Sequence, residues 1–250
     1  MRLASDDAWF DLPRGARAPR PIWAIGDIHG CTDHLAVLHA HLREAAREPG
    51  LLVYLGDYVD RGRDSAEALS MVAAGPGAPL LETRALLGNH DLFLMEAAGL
   101  GGRAPAPSIE LWLHNGGGTT LGDLGVPARL APAERAARLR RALGPERIAF
   151  LEAALPIHRE GDLAFAHAGL DPSRPLERQD PRDLLWIREP FLDCPEAGWP
   201  FACAVIHGHT PPAFGVDHHR IGVDSGCYAT GVLTMLEMRG NRGRFHRALI

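Results

Sequence analysis

Three times in the first hundred residues, a short apolar run ends in a glycine-containing polar turn and is followed by a stretch with apolar residues at helical spacing. Ile22 to Ile25 ends at Gly26, and Thr32 or Asp33 can cap a helix that carries Leu35, Leu38, Leu42, Ala45 and Ala46 on one face. Leu51 to Leu55 with Ser65 to Ala73 repeats the pair, and Leu80 to Leu87 with Leu92 to Ala97 repeats it again. Strand, polar turn and helix in succession predict an α/β arrangement with a parallel sheet and crossover helices. In such sheets ligands sit outside the carboxyl ends of the strands, and the polar residues of this chain cluster there.

The middle of the chain breaks the pattern. Gly99 to Pro107 is rich in Gly, Pro and Ala, Ser108 to His114 reads as a short helix, and Asn115 to Thr120 contains three consecutive glycines. Pro132 to Leu143 has the pattern of a charged amphipathic helix. Residues 99–145 are therefore expected to form a mobile, cap-like insertion over the site, inside a single domain spanning 21–250 that follows an N-terminal extension, 1–20. Further strands are predicted at 155–158, 163–166, 204–206, 221–223, 232–238 and 245–249. With few long helices after residue 190, these are expected to form a mixed or antiparallel second sheet packed on the first.

Composition narrows the partners. At 250 residues and 46% hydrophobic, the chain has enough apolar material for a sizeable core. A net charge of -5 disfavours nucleic acid and anionic membranes as partners. All 26 basic residues are arginine, a bias that compositional drift explains, so only arginines beside a chemical motif count as evidence for anion binding. The four cysteines, Cys31, Cys194, Cys203 and Cys227, contain no C-x-x-C pair and suggest reduced thiols in a cytoplasmic protein. Neither an apolar signal region nor an apolar run of about 18 residues is present, so a membrane-spanning or secreted chain is not expected.

Five polar blocks end the apolar strands: Gly26-Asp27-Ile28-His29-Gly30, Gly56-Asp57-Tyr58-Val59-Asp60-Arg61-Gly62, Gly88-Asn89-His90-Asp91, His167-Ala168-Gly169 and His207-Gly208-His209-Thr210. Each taken alone fits an ordinary turn. Together they combine glycines, which allow close backbone approach, with carboxylate, amide and imidazole donors. That mixed oxygen and nitrogen set suits a pair of first-row divalent ions better than magnesium or calcium, which favour all-oxygen shells.

With these five blocks in this order over roughly residues 21 to 236, the chain resembles the calcineurin-like metallophosphoesterases of the phosphoprotein phosphatase type, in the branch of small bacterial serine/threonine phosphatases. Gly-Asp-Tyr-Val-Asp-Arg-Gly at 56–62 is the most specific of the motifs. The resemblance implies two mixed sheets packed as a sandwich flanked by helices (an αββα fold). It implies Asp27 and His29 on a first metal, Asp57 as the bridging carboxylate, and Asn89, His167 and His209 on a second. The ions implied are manganese, with iron, zinc, nickel or cobalt as substitutes. Two such ions bring about +4 and two carboxylates about -2, which leaves a site matched to a phosphate dianion. Arg61, Arg188 and Asn89 are expected to contact the substrate phosphate, Arg188 because Leu184 to Glu189 is similar to the segment that supplies a second phosphate-binding arginine in bacterial members. His90 is the implied general acid and Asp60 its carboxylate partner, with attack by a hydroxide bridging the metals. The expected substrates are phosphoserine, phosphothreonine or phosphotyrosine in proteins, acted on by a monomer.

One departure leaves a second substrate open. Many family members have arginine immediately before Gly-Asn-His. Here that position is Leu87, and Arg84, three residues earlier, is expected on the opposite strand face. Leucine there also resembles the diadenosine tetraphosphate hydrolases, so dinucleoside polyphosphates or other small phosphoesters are the alternative. Several other residues carry weaker signals. His207 shares a strand face with His209 if the strand continues, and then either lines the site or is structural. Asp224 and Ser225 are positioned to hydrogen-bond a ligand histidine, and His218 and His219 read as solvated. Asn115 to Gly118 is either an anion-binding backbone turn or a flexible loop. Cys31 is either a reactive thiol beside the site or a buried helix-start residue.

Overall fold

Ile22, Trp23, Ala24 and Ile25 are all fully buried, because the strand that carries them has apolar neighbours on both faces. The computed structural model describes residues 2–250. Its strands are β1 (Arg2–Ser5), β2 (Phe10–Asp11), β3 (Ala18–Ile25), β4 (Gly50–Tyr54), β5 (Leu81–Ala85), β6 (Ile157–Glu160), β7 (Leu163–Ala166), β8 (Ala204–His207), β9 (Gly215–Val216), β10 (Arg220–Gly222), β11 (Val232–Gly240) and β12 (Arg242–Leu249). One sheet runs β1-β12-β11-β3-β4-β5, with β2 added on β12, and the other runs β6-β7-β8-β10-β9. The predicted parallel core is present as β3-β4-β5, and the second sheet is mixed, with β7-β8-β10 parallel and β6 and β9 antiparallel at its edges.

Side-chain alternation along β3 sorts the core into layers. Ile22 and Ala24 turn inward with Leu51 and Val53 to meet Phe165, Ile206 and Ile221 of the second sheet. Trp23 and Ile25 turn outward, where α1 (Thr32–Ala45) and α2 (Ser65–Ala74) cover them with Leu35, Leu38, Leu42 and Leu69. Coverage on both faces is the physical reason these strands read as continuous apolar runs rather than alternating ones. The outer face of the second sheet, Ala164, Ala166 and Val205, packs on Leu184, Phe191 and Trp199.

Three expectations change. The strands predicted at 232–238 and 245–249 do not join the second sheet. β11 lies antiparallel between β3 and β12 in the first, because Leu236 and Met238 supply the inter-sheet core while Leu233 and Met235 supply the helix-covered face. The segment before residue 21 is part of the same sheet: β1 pairs with β12 in register from Arg2↔Leu249 to Ser5↔His246. The insertion at 99–145, expected as a cap over the site, packs into the helix layer of the first sheet. After α3 (Asn89–Ala98), it forms α4 (Glu110–Trp112), a π-turn at Leu113–Gly117, α5 (Gly118–Asp123) and α6 (Pro132–Ala153). Trp112, Leu121, Val126, Leu139 and Leu143 bury into the cluster that contains α1 to α3. The three glycines thus continue a helical path, and only Gly116 leaves it, at φ 102. α6 runs on past the predicted end at Leu143 after a break at Gly144. Short helices, α7 (Pro181–Trp186) and α8 (Cys227–Thr230), complete the chain. Among the described residues, no helix is long and apolar enough to cross a membrane.

A buried charge cluster ties the β11–β12 hairpin. The Glu237 carboxylate accepts hydrogen bonds from Arg239 Nε at 2.7 Å, Arg244 Nε at 2.8 Å and His246 Nε2 at 2.8 Å. Burial opposes its ionisation, but these donors outweigh burial and hold Glu237 down at about 2, against an ordinary 4.5. A carboxyl with a depressed folded-state pKa stabilises fully above the ordinary value, and the stabilisation is lost as pH falls toward the folded value. The stability gap between the wild type and Glu237→Gln, read from urea midpoints, should therefore shrink as pH falls from 4.5 to about 2. A gap that stays constant across that window would contradict this account.

Candidate metal centre

The five polar blocks meet at one end of the sandwich, each following a strand: β3, β4 and β5 of the first sheet, and β7 and β8 of the second. The turns are tight enough to force unusual backbone. Six non-glycine residues have positive φ among the described residues, and five are candidate site residues: His29 (46°), Asp57 (53°), Asp60 (73°), Arg61 (65°) and His209 (64°). Such conformations cost of order 1–3 kcal/mol each and persist only where the surroundings over-determine them. Here the surroundings do so with hydrogen bonds. The Asp57 carbonyl accepts the N–H groups of Ile28 (3.0 Å) and His29 (2.9 Å), joining the first two blocks. Asp91, fully buried, accepts the N–H groups of Asp57 (2.8 Å), Tyr58 (2.9 Å) and Gly88 (3.0 Å), joining the second to the third. Glycine is required where blocks touch: a β-carbon on Gly88 would overlap Asp57, and one on Gly208 would overlap the Asp27 carboxylate.

Asp57 is the hub. Its Oδ2 lies 3.6 Å from His29 Nε2, 3.5 Å from His167 Nε2 and 4.0 Å from His90 Nε2. Two sets of donors within 4.8 Å of one another share it, one with His29 and His90, the other with His167 and His209. Burial works against its charge, but His167 and His90 hold its carboxyl well below the usual range. Asp27 lies beside the set of Asp57, His167 and His209 without belonging to it. Its carboxylate accepts the His209 N–H at 3.1 Å, and its pKa is driven up by burial and then by Asp224.

Imidazole nitrogens converge on this hub. His29 and His167 use Nδ1–H on backbone carbonyls, Val59 at 2.7 Å and Leu55 at 2.8 Å, which turns Nε2 of each inward. Burial pushes His29 down to about 3 and His209 to about 2, so both are neutral at pH 7. His167 Nε2 then faces Asn89 Oδ1 at 2.9 Å as well as Asp57, and His209 Nδ1 meets the same Asn89 oxygen at 2.9 Å. Although burial resists it, the Asp57 charge drives His167 up to about 10. A buried carboxylate that draws a proton onto His167, with imidazole nitrogens and the Asn89 oxygen gathered around it, marks a place that positive charge would occupy, and His209 Nε2 is left with no hydrogen-bond partner. The donors present thus fit a pair of divalent ions.

His90 stands at the edge of the hub with a different attachment. Its Nδ1 bonds Asp60 Oδ2 at 2.7 Å, and that carboxylate also accepts from Trp112 Nε1 at 2.7 Å and Thr120 Oγ1 at 2.5 Å. The insertion therefore reaches under the site and fixes the residue behind His90. Arg61 Nη1 lies 3.1 Å from His29 Nε2, with its guanidinium 4.7 Å above the Tyr228 ring. Arg188 is exposed, and its charge is felt by His209.

The weaker signals resolve as follows. β8 ends at His207 and His209 sits in a left-handed turn, so the two do not share a strand face. His207 packs on Phe191, and burial takes it to about 3. Asp224 bonds the Gly226 N–H and lies against Asp27 rather than a histidine, while Ser225 bonds the Val232 carbonyl. His219 is fully buried against Trp199 and the Phe191 carbonyl, contrary to the expectation of solvation, because the polar pair 218–219 enters β10 with one side chain inward. Arg84 pairs with Glu82, away from the pocket. Sequence reasoning gave no role to Asp91, Trp112, Thr120 or Tyr228. For Asp91 a signal existed: a carboxylate at the third position of a helix can reach back to the residue before the helix.

Residues 20–236 match the sequence profile of the calcineurin-like phosphoesterase family. The chain is 29% identical over 224 residues to serine/threonine-protein phosphatase 1 of Salmonella typhimurium, covering 88% of this chain and 93% of that protein. It is 33% identical over 153 residues to the symmetrical bis(5'-nucleosyl)-tetraphosphatase of Methylococcus capsulatus, covering 61% of this chain and 44% of that protein. Among solved structures, the cold-active protein-tyrosine phosphatase of a psychrophilic Shewanella shares the fold, with a TM-score of 0.56 at 16% identity over 87% of this chain and 77% of that one.

Replacing Asp91 with asparagine puts an N–H₂ group against at least one of three backbone donors, leaving a buried N–H unpaired. Asp91→Asn is expected to destabilise the fold by about 1–3 kcal/mol in urea denaturation and to lower bound metal in elemental analysis. Wild-type stability together with full metal content would show that Asp91 does not hold these turns.

Proposed function

The chain belongs to the calcineurin-like phosphoesterase family of metallophosphoesterase hydrolases, and on that premise we propose that it is a dimetal protein phosphatase acting on phosphoserine and phosphothreonine. The observation that carries this reading is the extent of its likeness to the Salmonella phosphatase, which covers 88% of this chain and 93% of that protein, whereas the tetraphosphatase match covers 61% and 44%. Leu87 before Gly88-Asn89-His90, together with the partial match to the tetraphosphatase, supports a second reading in which the substrate is a dinucleoside polyphosphate.

In this proposal Asp27, His29 and Asp57 would hold one ion, and Asp57, Asn89, His167 and His209 would hold the other, with manganese as the native metal. When bound, such an ion pair lowers the pKa of water and offsets negative charge on the phosphoryl oxygens. The remaining steps belong to side chains. Arg61 offers a planar fork of donors to the phosphate, and Tyr228 beneath it limits where that fork can swing. Arg188 supplies a second cation from the exposed rim near His209. His90, with Nδ1–H held on Asp60, has its Nε2 near Asp57 and gives the Nε2 proton to the departing serine or threonine oxygen, ending as the neutral imidazole. The serine or threonine then leaves as a neutral alcohol. Trp112 and Thr120 hold the Asp60 carboxylate in one orientation, so the His90 ring keeps its tautomer and direction.

His90→Asn is expected to keep both metals and lower turnover by about 10²–10⁴ on a substrate with a poor leaving group. Unchanged turnover there removes His90 from the role. Asp57→Asn should lose metal as well as activity, because two cations then face each other without the shared carboxylate. Two metals retained in that variant contradict the bridging assignment. The substrate is tested by initial rates of the manganese-loaded protein on phosphopeptides and on diadenosine tetraphosphate. A kcat/KM at least tenfold higher on peptides is the expected result, and the reverse margin selects the dinucleotide reading.

A further inference from the structure

Beside the centre just described is a second cluster of donors of different chemistry. Cys31, immediately before α1, His34 in the first turn of α1, and Cys227, the first residue of α8, have ligand atoms all within 4.8 Å of one another. Neither cysteine is in a disulfide. Cys227 is buried, Cys31 and His34 are partly accessible, and the three line a cleft of about 290 Å³ that Arg61, Asp64 and Tyr228 also line. None of the three donors is among the ligands assigned to the ion pair above.

We propose that Cys31, His34 and Cys227 form a separate Cys₂His site for a soft divalent ion, zinc by its donor set, with its remaining coordination position open to the cleft. Zinc–sulfur bonds of about 2.3 Å and zinc–nitrogen bonds of about 2.0–2.1 Å, at tetrahedral angles, place donor atoms roughly 3.5–3.8 Å apart. Separations within 4.8 Å reach that range with small side-chain rotations. Thiolate ligands select zinc over manganese, whereas the carboxylate, amide and imidazole donors of the neighbouring centre do not. The histidine is already oriented. His34 Nε2 donates to the Gly231 carbonyl at 3.0 Å, which leaves the lone pair on Nδ1 and matches the usual arrangement in which a ligating imidazole spends its other nitrogen on a backbone acceptor.

The site lies where an ion would affect the phosphate pocket. Cys31 Sγ contacts the carbonyl of His29 at 3.6 Å. Tyr228, next to Cys227, packs edge-on against the His29 ring at 5.3 Å and lies under the Arg61 guanidinium. An ion held by Cys31, His34 and Cys227 joins α8 to the start of α1 and thereby fixes Tyr228 and the side of the pocket that Arg61 occupies.

The test is cobalt(II) added to the full chain, already loaded with manganese and kept in a thiol-free reductant, read by near-ultraviolet thiolate-to-cobalt charge-transfer absorption. The nitrogen and oxygen donors of the ion-pair centre cannot produce that band, so its presence or absence is independent of whether the protein hydrolyses phosphoproteins. One equivalent of band-forming cobalt is expected, displaced by stoichiometric zinc, and absent in Cys227→Ser. His34→Gln, on an accessible helix start, keeps both thiols and is expected to weaken cobalt binding at least tenfold. No band at cobalt saturation overturns the proposal. So does a band that survives in Cys227→Ser, or cobalt affinity unchanged in His34→Gln.

Discussion

The site depends on holding one buried carboxylate, that of Asp57, in a left-handed turn among three imidazoles. Neither the turn nor the burial is favourable alone. The carboxylate loses its hydration, and the backbone at φ 53° is one that non-glycine residues rarely adopt. Compensation comes from three directions. Imidazoles of His29, His167 and His90 surround Oδ2, the His90 N–H donates to Oδ1 at 2.9 Å, and Asp91 takes the N–H groups on either side of the turn. A polar network of this kind is worth most when every member is satisfied. That requirement explains why the same small region contains five of the six left-handed non-glycine residues.

The sandwich supplies what the network needs. Parallel strands in both sheets direct their carboxyl ends to one edge, so turns far apart in sequence arrive together: the Asp27 carboxylate meets the His209 backbone, 182 residues away. Strands buried on both faces fix those ends tightly, since Ile22, Ala24 and Val53 pack between the sheets while Trp23, Ile25 and Leu52 pack under helices. The insertion between β5 and β6 adds an outer support. Trp112 and Thr120 reach Asp60, which in turn orients His90. Elements that look peripheral along the chain therefore determine the direction of the His90 ring.

Much of this was legible beforehand, and the misreadings share a cause. β3, β4 and β5 and their helices were readable because period and turn chemistry are local. So were the five blocks, whose residue types carry their chemistry with them. The local pattern places β11 and β12 in the second sheet, whereas they join the first, because sheet membership depends on which apolar faces remain uncovered, a property of the assembled core. Asn115 to Gly118 reads as an anion-binding turn or a flexible loop because glycine disfavours helices intrinsically, yet the segment follows a helical path. A β-carbon on Gly117 would strike the Trp112 ring, and one on Gly116 would strike the Arg61 side chain. His219 read as solvated because a His-His pair is polar, but its ring stacks 4.3 Å from Trp199.

By itself, the sequence determined the α/β alternation, the strand-end location of the five polar blocks and the side-chain types they carry, because periodicity, glycine placement and side-chain type act over a few residues. Only the tertiary structure decided which donors share Asp57, that Asp91 ties the second turn to the third, that Trp112 reaches beneath His90, and that Cys31, His34 and Cys227 meet. Those pairings join residues dozens to hundreds of positions apart. Whether they touch depends on how two sheets and their covering helices close on a common core, which no local pattern encodes.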